Sequence, residues 1–495
     1  MSLMLDRESE LTRPVAHTKL LIDGEWVDAA DGGRLDTFYP GDGRVYGSVA
    51  EAQAADVDRA VRAARRAFDS GPWRRFKPAE RAAALWRLGD LILRDTDELA
   101  RLETLDTGKP NHAVRRFEVP TAAGLFHYMS GWATKIEGST IPISFPGEYH
   151  AYSERDAIGV VGLIVPWNFP LVIASWKLAP ALAAGNTVVV KPAEWTPLTA
   201  LHLGALALEA GIPEGVFNVV PGYGPTAGAA LTEHPLVDKV SFTGSTATGR
   251  TILRAAAGNL KRVTLELGGK SPNVVFADAD LDAAIAGSAD GVFGNAGQAC
   301  AAASRLFVQE SVYDEVVAGI ASAADRVRVA DAYDDSAEIG PLASKQHFER
   351  VTGYLDAGRA EGVGVVTGGD RVGDQGFFLR PTVLADTSGA STVSREEIFG
   401  PVVVATPFRD IDDLLLAANG TSYGLAAGVW TRDVSTAHRV ARGIKSGTVW
   451  VNCYSVFDAS LPFGGMKQSG WGREMGREVL HDYTEVKAVC VKLGD

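Results

Sequence analysis

Cys300 stands in the stretch Phe293-Gly-Asn-Ala-Gly-Gln-Ala-Cys300-Ala-Ala-Ala-Ser-Arg305, surrounded by small residues. No bulky sequence neighbour shields the sulfur, and Gly297 lets backbone approach it closely. A thiol is a useful nucleophile only when some fraction is thiolate and a substrate can reach it. The alternative is a small buried hydrophobe, the commoner fate of a lone cysteine. Other stretches carry polar groups that chemistry could use. Asn168, in Trp167-Asn168-Phe169-Pro170, could donate its amide to a developing oxyanion; losing such a donor costs about 2.7–4 kcal/mol of barrier. An Asx turn ahead of a helix is its plain alternative. Glu266, in Leu265-Glu-Leu-Gly-Gly-Lys270, presents a carboxylate close to two glycines, or is simply an exposed strand-end residue.

A second group of residues suggests a phosphate-bearing ligand. In Ser241-Phe-Thr-Gly244-Ser245-Thr246-Ala-Thr-Gly249 a strand ends at a glycine. Ser245 or Thr246 can then cap a helix whose free N–H groups could hold a pyrophosphate. In Lys191-Pro-Ala-Glu194 the carboxylate could accept two hydrogen bonds from a ribose diol and would repel a 2′-phosphate. The alternative there is a solvated charge pair on a loop. Gly222-Tyr-Gly224, with the next glycine at Gly228, misses the usual dinucleotide spacing by one residue and is a weak signal.

The elements that must position these groups follow from periodicity. Residues 1–20 read as a polar, weakly ordered lead-in, and Leu20 to Val27 as strand with a turn at Asp23-Gly24. Val57, Val61, Ala64 and Phe68 recur at helical spacing between Ala54 and Phe68, with Asp56 as N-cap. A further helical stretch follows Pro78, and the pattern continues through Leu99 and Leu105 until Gly108-Lys-Pro110 stops it. Residues 136–156 lack helical period and read as an extended ribbon. From Gly159 strands at 160–165, 187–190, 216–220 and 239–242 alternate with helices at 171–184 and 198–210. Val160 to Val165 is nearly all apolar, as a strand buried on both faces must be. This alternation predicts a parallel, doubly wound sheet, with ligands at the carboxyl ends of its strands. After Glu266 it recurs, through helices near 281–291 and 312–328 and a strand near 305–309, predicting a second α/β domain. Residues 485–493 read as a final strand.

Bulk properties exclude several classes. A chain of 495 residues is too long for one core. A net charge of -13 without a long basic run argues against a nucleic-acid partner. Cys300, Cys453 and Cys490 lie far apart without metal-ligand spacing, which argues against disulfides or bound metal and fits a reducing compartment. The sequence shows no signal-peptide core or membrane-length apolar run. The expectation is a soluble, cytoplasmic protein with no membrane partner.

Taken in order, these motifs resemble the aldehyde dehydrogenase superfamily over nearly the whole chain. The resemblance rests on Pro166-Trp-Asn-Phe-Pro170, Lys191-Pro-Ala-Glu194, Phe242-Thr-Gly-Ser-Thr246, Glu266-Leu-Gly-Gly-Lys270 and Gly297-Gln-Ala-Cys300. Glu396-Glu-Ile-Phe-Gly-Pro401 and Pro462-Phe-Gly-Gly-Met-Lys-Gln-Ser-Gly470 extend it. It implies that Cys300 is the nucleophile, Glu266 the base that activates water, and Asn168, with the Cys300 N–H, the oxyanion donor. Lys177 and Glu474 match supporting positions. NAD is the implied cofactor, NADP being disfavoured by Glu194. Lys191 and Glu194 match adenosine-ribose contacts, and Gly244 and Ser245 the pyrophosphate region. Trp167 and Leu267 match further cofactor-site positions, and Glu397 and Phe399 those that hold the nicotinamide ribose and ring. The substrate tunnel is expected from Phe169, Val172, Trp176, Phe293, Ala299, Ala301, Phe457 and Phe463.

The implied architecture is a Rossmann-like coenzyme-binding domain (1–135 and 157–267), an α/β catalytic domain (268–478) and a small β oligomerisation arm (136–156 and 479–495). Through that arm the resemblance implies a homodimer or homotetramer. The apolar tunnel suggests an aromatic or medium-chain aliphatic aldehyde. Asp458, close by in sequence, leaves a cationic substrate such as betaine aldehyde open. The stretch Phe457 to Met475 also looks like bacterial phenylacetaldehyde-type and betaine-aldehyde-type members. A CoA-acylating member generally lacks the glutamate present here at Glu266. A non-catalytic homologue should have lost Cys300, Glu266 or Asn168, and all are present. Cys453 and Cys490 read as structural.

Overall fold

The computed structural model describes residues 7–494. An eight-stranded sheet is built on five parallel strands, ordered Arg262–Glu266, Lys239–Thr243, Val160–Ile164, Thr187–Lys191 and Phe217–Val219. The antiparallel hairpin Leu20–Ile22/Glu25–Val27 closes one edge, and the short Gly470–Trp471 strand pairs antiparallel on the other. Every residue of the strands Val160–Ile164, Thr187–Lys191 and Lys239–Thr243 is buried. That is why Val160–Ile164 and residues 188–190 read as continuous apolar runs, whereas Lys239–Thr243 alternates although it is buried throughout. The chain leaves the Val160–Ile164 strand in one direction and returns to its other side at Lys239–Thr243. This reversal opens a crevice beyond the carboxyl ends of both strands.

A seven-stranded second sheet runs Gly364–Thr367, Thr382–Ala385, Val402–Phe408, Arg305–Gln309, Pro272–Val275, Ala426–Trp430 and Thr448–Val451. Only its first strand is antiparallel. The strand Thr484–Gly494, mostly exposed, pairs antiparallel with Glu148–Ala157, which is mostly half-buried. Asn186 ties the start of this ribbon to the first sheet. Its buried amide accepts from Gly159 N–H at 2.9 Å and donates to the Ala181 and Tyr483 carbonyls at 3.0 Å each.

The sequence misread two points near the N-terminus. Within 1–20, residues 1–6 lie outside the described residues, but Arg7–Thr12 is a helix rather than a loose lead-in. Leu11 is buried and Arg7 pairs with Asp42 and Asp331, so long-range ion pairs hold a segment with little apolar content of its own. Asp56 is not the N-cap of the helix Ala54–Asp69; Gln53 is. Asp56 stands in the first turn, where its carboxylate accepts from Gln53 N–H at 3.1 Å and Ala30 N–H at 3.0 Å. A carboxylate there offsets the helix's unpaired donors as a cap would.

Replacing Asn186 by Ala leaves buried backbone groups unpaired, each worth ~1–3 kcal/mol. Asn186→Ala is expected to lower unfolding free energy by about 2–4 kcal/mol in urea titrations. A change under about 0.5 kcal/mol would contradict the anchoring role.

Candidate active site

The loops that follow the strands of the first sheet meet loops that precede strands of the second. A cavity of about 280 Å³ forms between them, lined by Asn168, Glu266, Leu267, Cys300, Glu397 and Phe399 among others. It shares Pro166, Trp167, Thr243, Gly244 and Ser245 with a larger cleft of about 670 Å³. That cleft continues past Lys191 and Glu194 at the switch point of the first sheet.

Cys300 is presented by an unusual turn. The helix Leu281–Phe293 ends, and Asn295, Ala296 and Gly297 then all adopt left-handed backbone (φ 51°, 53° and 70°). For Asn295 and Ala296 this conformation is costly and persists only where the surroundings enforce it. The enforcement is visible. Asn295 Nδ2 donates to the Asn168 and Gln298 carbonyls at 3.2 Å each, and Gln298 Nε2 returns to the Asn295 carbonyl at 3.1 Å. Asn168 Nδ2 donates to the Gln298 carbonyl at 3.0 Å. A Cβ on Gly297 would stand 2.0 Å from the Gly400 carbonyl oxygen, so only glycine fits there. An amide nitrogen carries two protons; Gln298 takes one from Asn168, and the other remains for the cavity.

Glu266 ends its strand buried, and neither carboxylate oxygen has a hydrogen-bond partner. Burial, reinforced by Glu474, raises its pKa well above the ordinary range, while Lys177 and Arg473 oppose the rise. Lys177 and Glu474 form a buried ion pair at 2.5 Å, and Lys177 also donates to Ser241 Oγ at 3.0 Å. Burial pushes the Cys300 thiol up to about 12; Glu397 and Glu266 add to this, and the N–H groups of Ala301 and Cys300 oppose it. Glu397 is itself raised to about 7 by burial, although it accepts from Gly269 N–H at 2.9 Å.

Along the larger cleft, Ser245 caps the helix Thr246–Ala256, its Oγ accepting from Thr248 N–H at 3.1 Å. Lys191 is buried and donates to the Gly222 carbonyl at 2.7 Å, with Glu194 at 3.6 Å. Leu267 pairs its backbone with Ser469, and Trp167 lies edge-on to Phe399 with centroids 5.4 Å apart. A carboxylate at each end (Glu194 and Glu397), a capped helix N-terminus between them and the buried, unpartnered Thr243 Oγ1 suit a dinucleotide.

The expected tunnel is gathered only in part. Trp176, Phe457 and Phe463 pack together at 5.4–6.0 Å, and Val172 shares the helix of Trp176, Pro170–Ala183. Phe169 lies beside Asn168 with Lys109 Nζ 3.9 Å from its ring centre. Phe293 is a correction: it is 2% exposed inside the second domain's core, among Val275, Leu306 and Val308. As the last residue of an amphipathic helix, it follows that helix's apolar face inward. Ala299, half-buried, lines a small cavity with Gly269, Gly297 and Glu397. Ala301 is buried in the core beside Cys300.

Sequence reading missed Trp195, Gln346, His347 and Arg350, which line the same cavity as Cys300. His347 meets the Phe399 carbonyl at 2.8 Å, and Arg350 donates to the Glu397 carbonyl at 3.1 Å. Burial holds His347 down to about 4, so it is neutral at working pH. Ser344, which caps the helix Lys345–Ala360 by accepting from His347 N–H at 3.1 Å, was the available signal.

The family model for the aldehyde dehydrogenase family matches residues 26–489. The chain belongs to the aldehyde dehydrogenase family. Members of this family are oxidoreductases whose general reaction converts aldehydes to carboxylic acids. The chain is 48% identical to the mitochondrial benzaldehyde dehydrogenase of Antirrhinum majus over 97% of its own length and 90% of that protein's. The NAD+ complex of aldehyde dehydrogenase from Bacillus cereus superposes with a TM-score of 0.96 at 48% identity, covering 100% of this chain and 99% of that one. The indole-3-acetaldehyde dehydrogenase AldA of P. syringae, a cysteine-to-alanine mutant in complex with NAD+ and IAA, gives 0.97 at 41% identity, covering 100% of both chains.

With a thiol held near 12, alkylation of Cys300 by iodoacetamide in the free enzyme is expected to rise about tenfold per pH unit from 7 to 10 without a plateau. Glu397→Gln removes a negative neighbour and should raise the rate at fixed pH. A plateau near pH 8 would contradict this electrostatic picture.

Proposed function

We propose that this protein oxidises a neutral aromatic or medium-chain aliphatic aldehyde to the carboxylic acid with NAD, Cys300 being the nucleophile. The observation that carries the reading is the convergence of Cys300, Asn168 and Glu266 on one cavity that opens into a dinucleotide-sized cleft. Lys191 and Glu194 would hold the adenosine ribose, Gly244 and Ser245 the pyrophosphate. Trp167 and Leu267 would wall the cleft, and Glu397 and Phe399 would hold the nicotinamide ribose and ring. NAD, when bound, supplies the hydride acceptor.

The Cys300 thiolate adds to the aldehyde carbon, forming the S–C bond of a thiohemiacetal. Its oxyanion is met by the free Asn168 amide proton and the Cys300 N–H, which fixed donors stabilise best where water is excluded. Loss of hydride from that carbon leaves a thioester on Cys300. Glu266 takes a proton from water as the oxygen attacks, the C–S bond breaks, and the acid leaves with the thiolate restored. A high pKa makes Glu266 an effective base once ionised, and the Lys177–Glu474 pair offers a buried charge relay beside it. Glu194 disfavours the 2′-phosphate of NADP.

The Trp176, Phe457 and Phe463 wall supports an apolar substrate. Asp458, the nearby carboxylate, is exposed and accepts from Ser460 N–H at 2.8 Å, which keeps it charged. The preference for a neutral aldehyde over betaine aldehyde therefore rests on the aromatic wall alone. The relatives named for benzaldehyde and indole-3-acetaldehyde act on aromatic aldehydes.

We assign residues 1–135 and 157–267 to coenzyme binding, 268–478 to catalysis, and 136–156 with 479–495 to assembly as a homodimer or homotetramer. The exposed Ile141, Ile143, Phe145, Val486, Val491 and Leu493 on that arm support self-association. Among the described residues no helix is long and apolar enough to cross a membrane. The unpaired state of all three cysteines fits a cytoplasmic location.

NADH formation should be followed with phenylacetaldehyde, benzaldehyde, hexanal, acetaldehyde and betaine aldehyde. Aromatic substrates are expected to exceed betaine aldehyde at least about tenfold in kcat/KM, and Cys300→Ala should abolish turnover. Betaine aldehyde ranking first would overturn the apolar-pocket argument; activity surviving in Cys300→Ala would overturn the mechanism.

A further inference from the structure

The loop after the strand Thr448–Val451 is held as tightly as the nucleophile turn. Asn452 and Ser455, both non-glycine, adopt left-handed backbone (φ 53° and 56°) on either side of Cys453 and Tyr454. Asn452 is pinned to the neighbouring strand, its N–H on the Val429 carbonyl at 2.8 Å and its Oδ1 accepting from Thr431 N–H at 3.0 Å. The Tyr454 ring fills space that side chains elsewhere leave open. A Cβ on Gly291 or Gly428 would come within 2.7 or 2.6 Å of it. Two glycines in different elements thus make a seat for one ring. Strain of this kind survives where surrounding structure over-determines it, and it concentrates at working sites.

The seat aims the hydroxyl. Tyr454 Oη donates to the Ala301 carbonyl at 2.9 Å, on the residue directly after Cys300. Ala302 N–H meanwhile closes a turn on the Ala299 carbonyl at 3.0 Å, and Ala303 N–H is held by the Gly291 carbonyl at 3.0 Å. The N–H groups of Cys300 and Ala301 bear on the sulfur itself. The phenol therefore braces the segment whose backbone donors surround Sγ. The same loop also reaches the aromatic wall, since Trp450 lies 4.8 Å from Tyr454 and 5.5 Å from Phe457.

We propose that Tyr454 is a positioning residue for the nucleophile: its hydroxyl, bonded to the Ala301 carbonyl, fixes the 300–302 turn and so the direction of Cys300 Sγ. This rests on the reading of Cys300 as the nucleophile. Tyr454→Phe keeps the ring in its seat and removes only the hydroxyl, with its bond to the Ala301 carbonyl and its contact with Ser271. In the full-length enzyme this variant is expected to lose about tenfold in kcat, ~1.4 kcal/mol of barrier. KM for NAD should stay within about twofold. Alkylation of Cys300 by iodoacetamide, followed on its own peptide by mass spectrometry, should slow by a similar factor from pH 7 to 10. Rates are normalised to folded enzyme by NAD-quenched fluorescence, so that poor folding does not count as lost positioning. Unchanged kcat and alkylation in Tyr454→Phe would overturn the proposal, as would an activity loss that merely tracks the unfolded fraction. Turnover surviving in Cys300→Ala would instead defeat the nucleophile reading beneath it.

Discussion

Reciprocal hydrogen bonds join the two halves of the site, the first from the Asn168 amide to the Gln298 carbonyl. Asn168 follows a strand of the first sheet, whereas Gln298 belongs to the turn that carries Cys300. Asn295 returns the connection to the Asn168 carbonyl, so neither loop can shift without breaking the other's partners. The costly left-handed backbone at Asn295 and Ala296 is tolerable because these amide bonds and the close approach of Gly400 leave it no alternative. The separation of Cys300 and the Asn168 amide is thereby set by two buried side-chain amides, each bonded to the other loop's backbone.

Around that lattice the protein buries ionisable groups with few partners. Glu266 has no hydrogen bond, Glu397 has one from Gly269, and the Cys300 thiol lies far above its ordinary range. Each is costly as a charge in isolation, and each is near another that resists ionisation. Burial thus disfavours charge on all three groups alike. Lys177, paired with Glu474, is the foremost of the positive charges that oppose the rise at Glu266.

The fold was legible because its strands are buried on both faces, and Val160–Ile164 or Thr187–Lys191 can hardly be read as anything else. The motif residues were legible too, since glycines and small side chains mark where backbone must approach closely. What the sequence hid depends on side-chain direction and long-range partners. Phe293 looked like a tunnel residue from its place beside the nucleophile loop, but its helix turns it into the core. Asp56 resembled a cap because acidic residues mark helix starts, but it stands in the first turn and its carboxylate reaches back to the Gln53 N–H. His347 and Arg350 come from a polar helix with no motif of its own, and only tertiary packing brings them to Glu397 and Phe399.

The most direct test of the central claim is to acid-quench the wild-type enzyme during turnover of phenylacetaldehyde with NAD and map its peptides by mass spectrometry. The account expects the phenylacetyl mass on the peptide bearing Cys300, and none on those bearing Cys453 or Cys490. An acyl group on another residue, or turnover with no acylated peptide at any quench time, would contradict it.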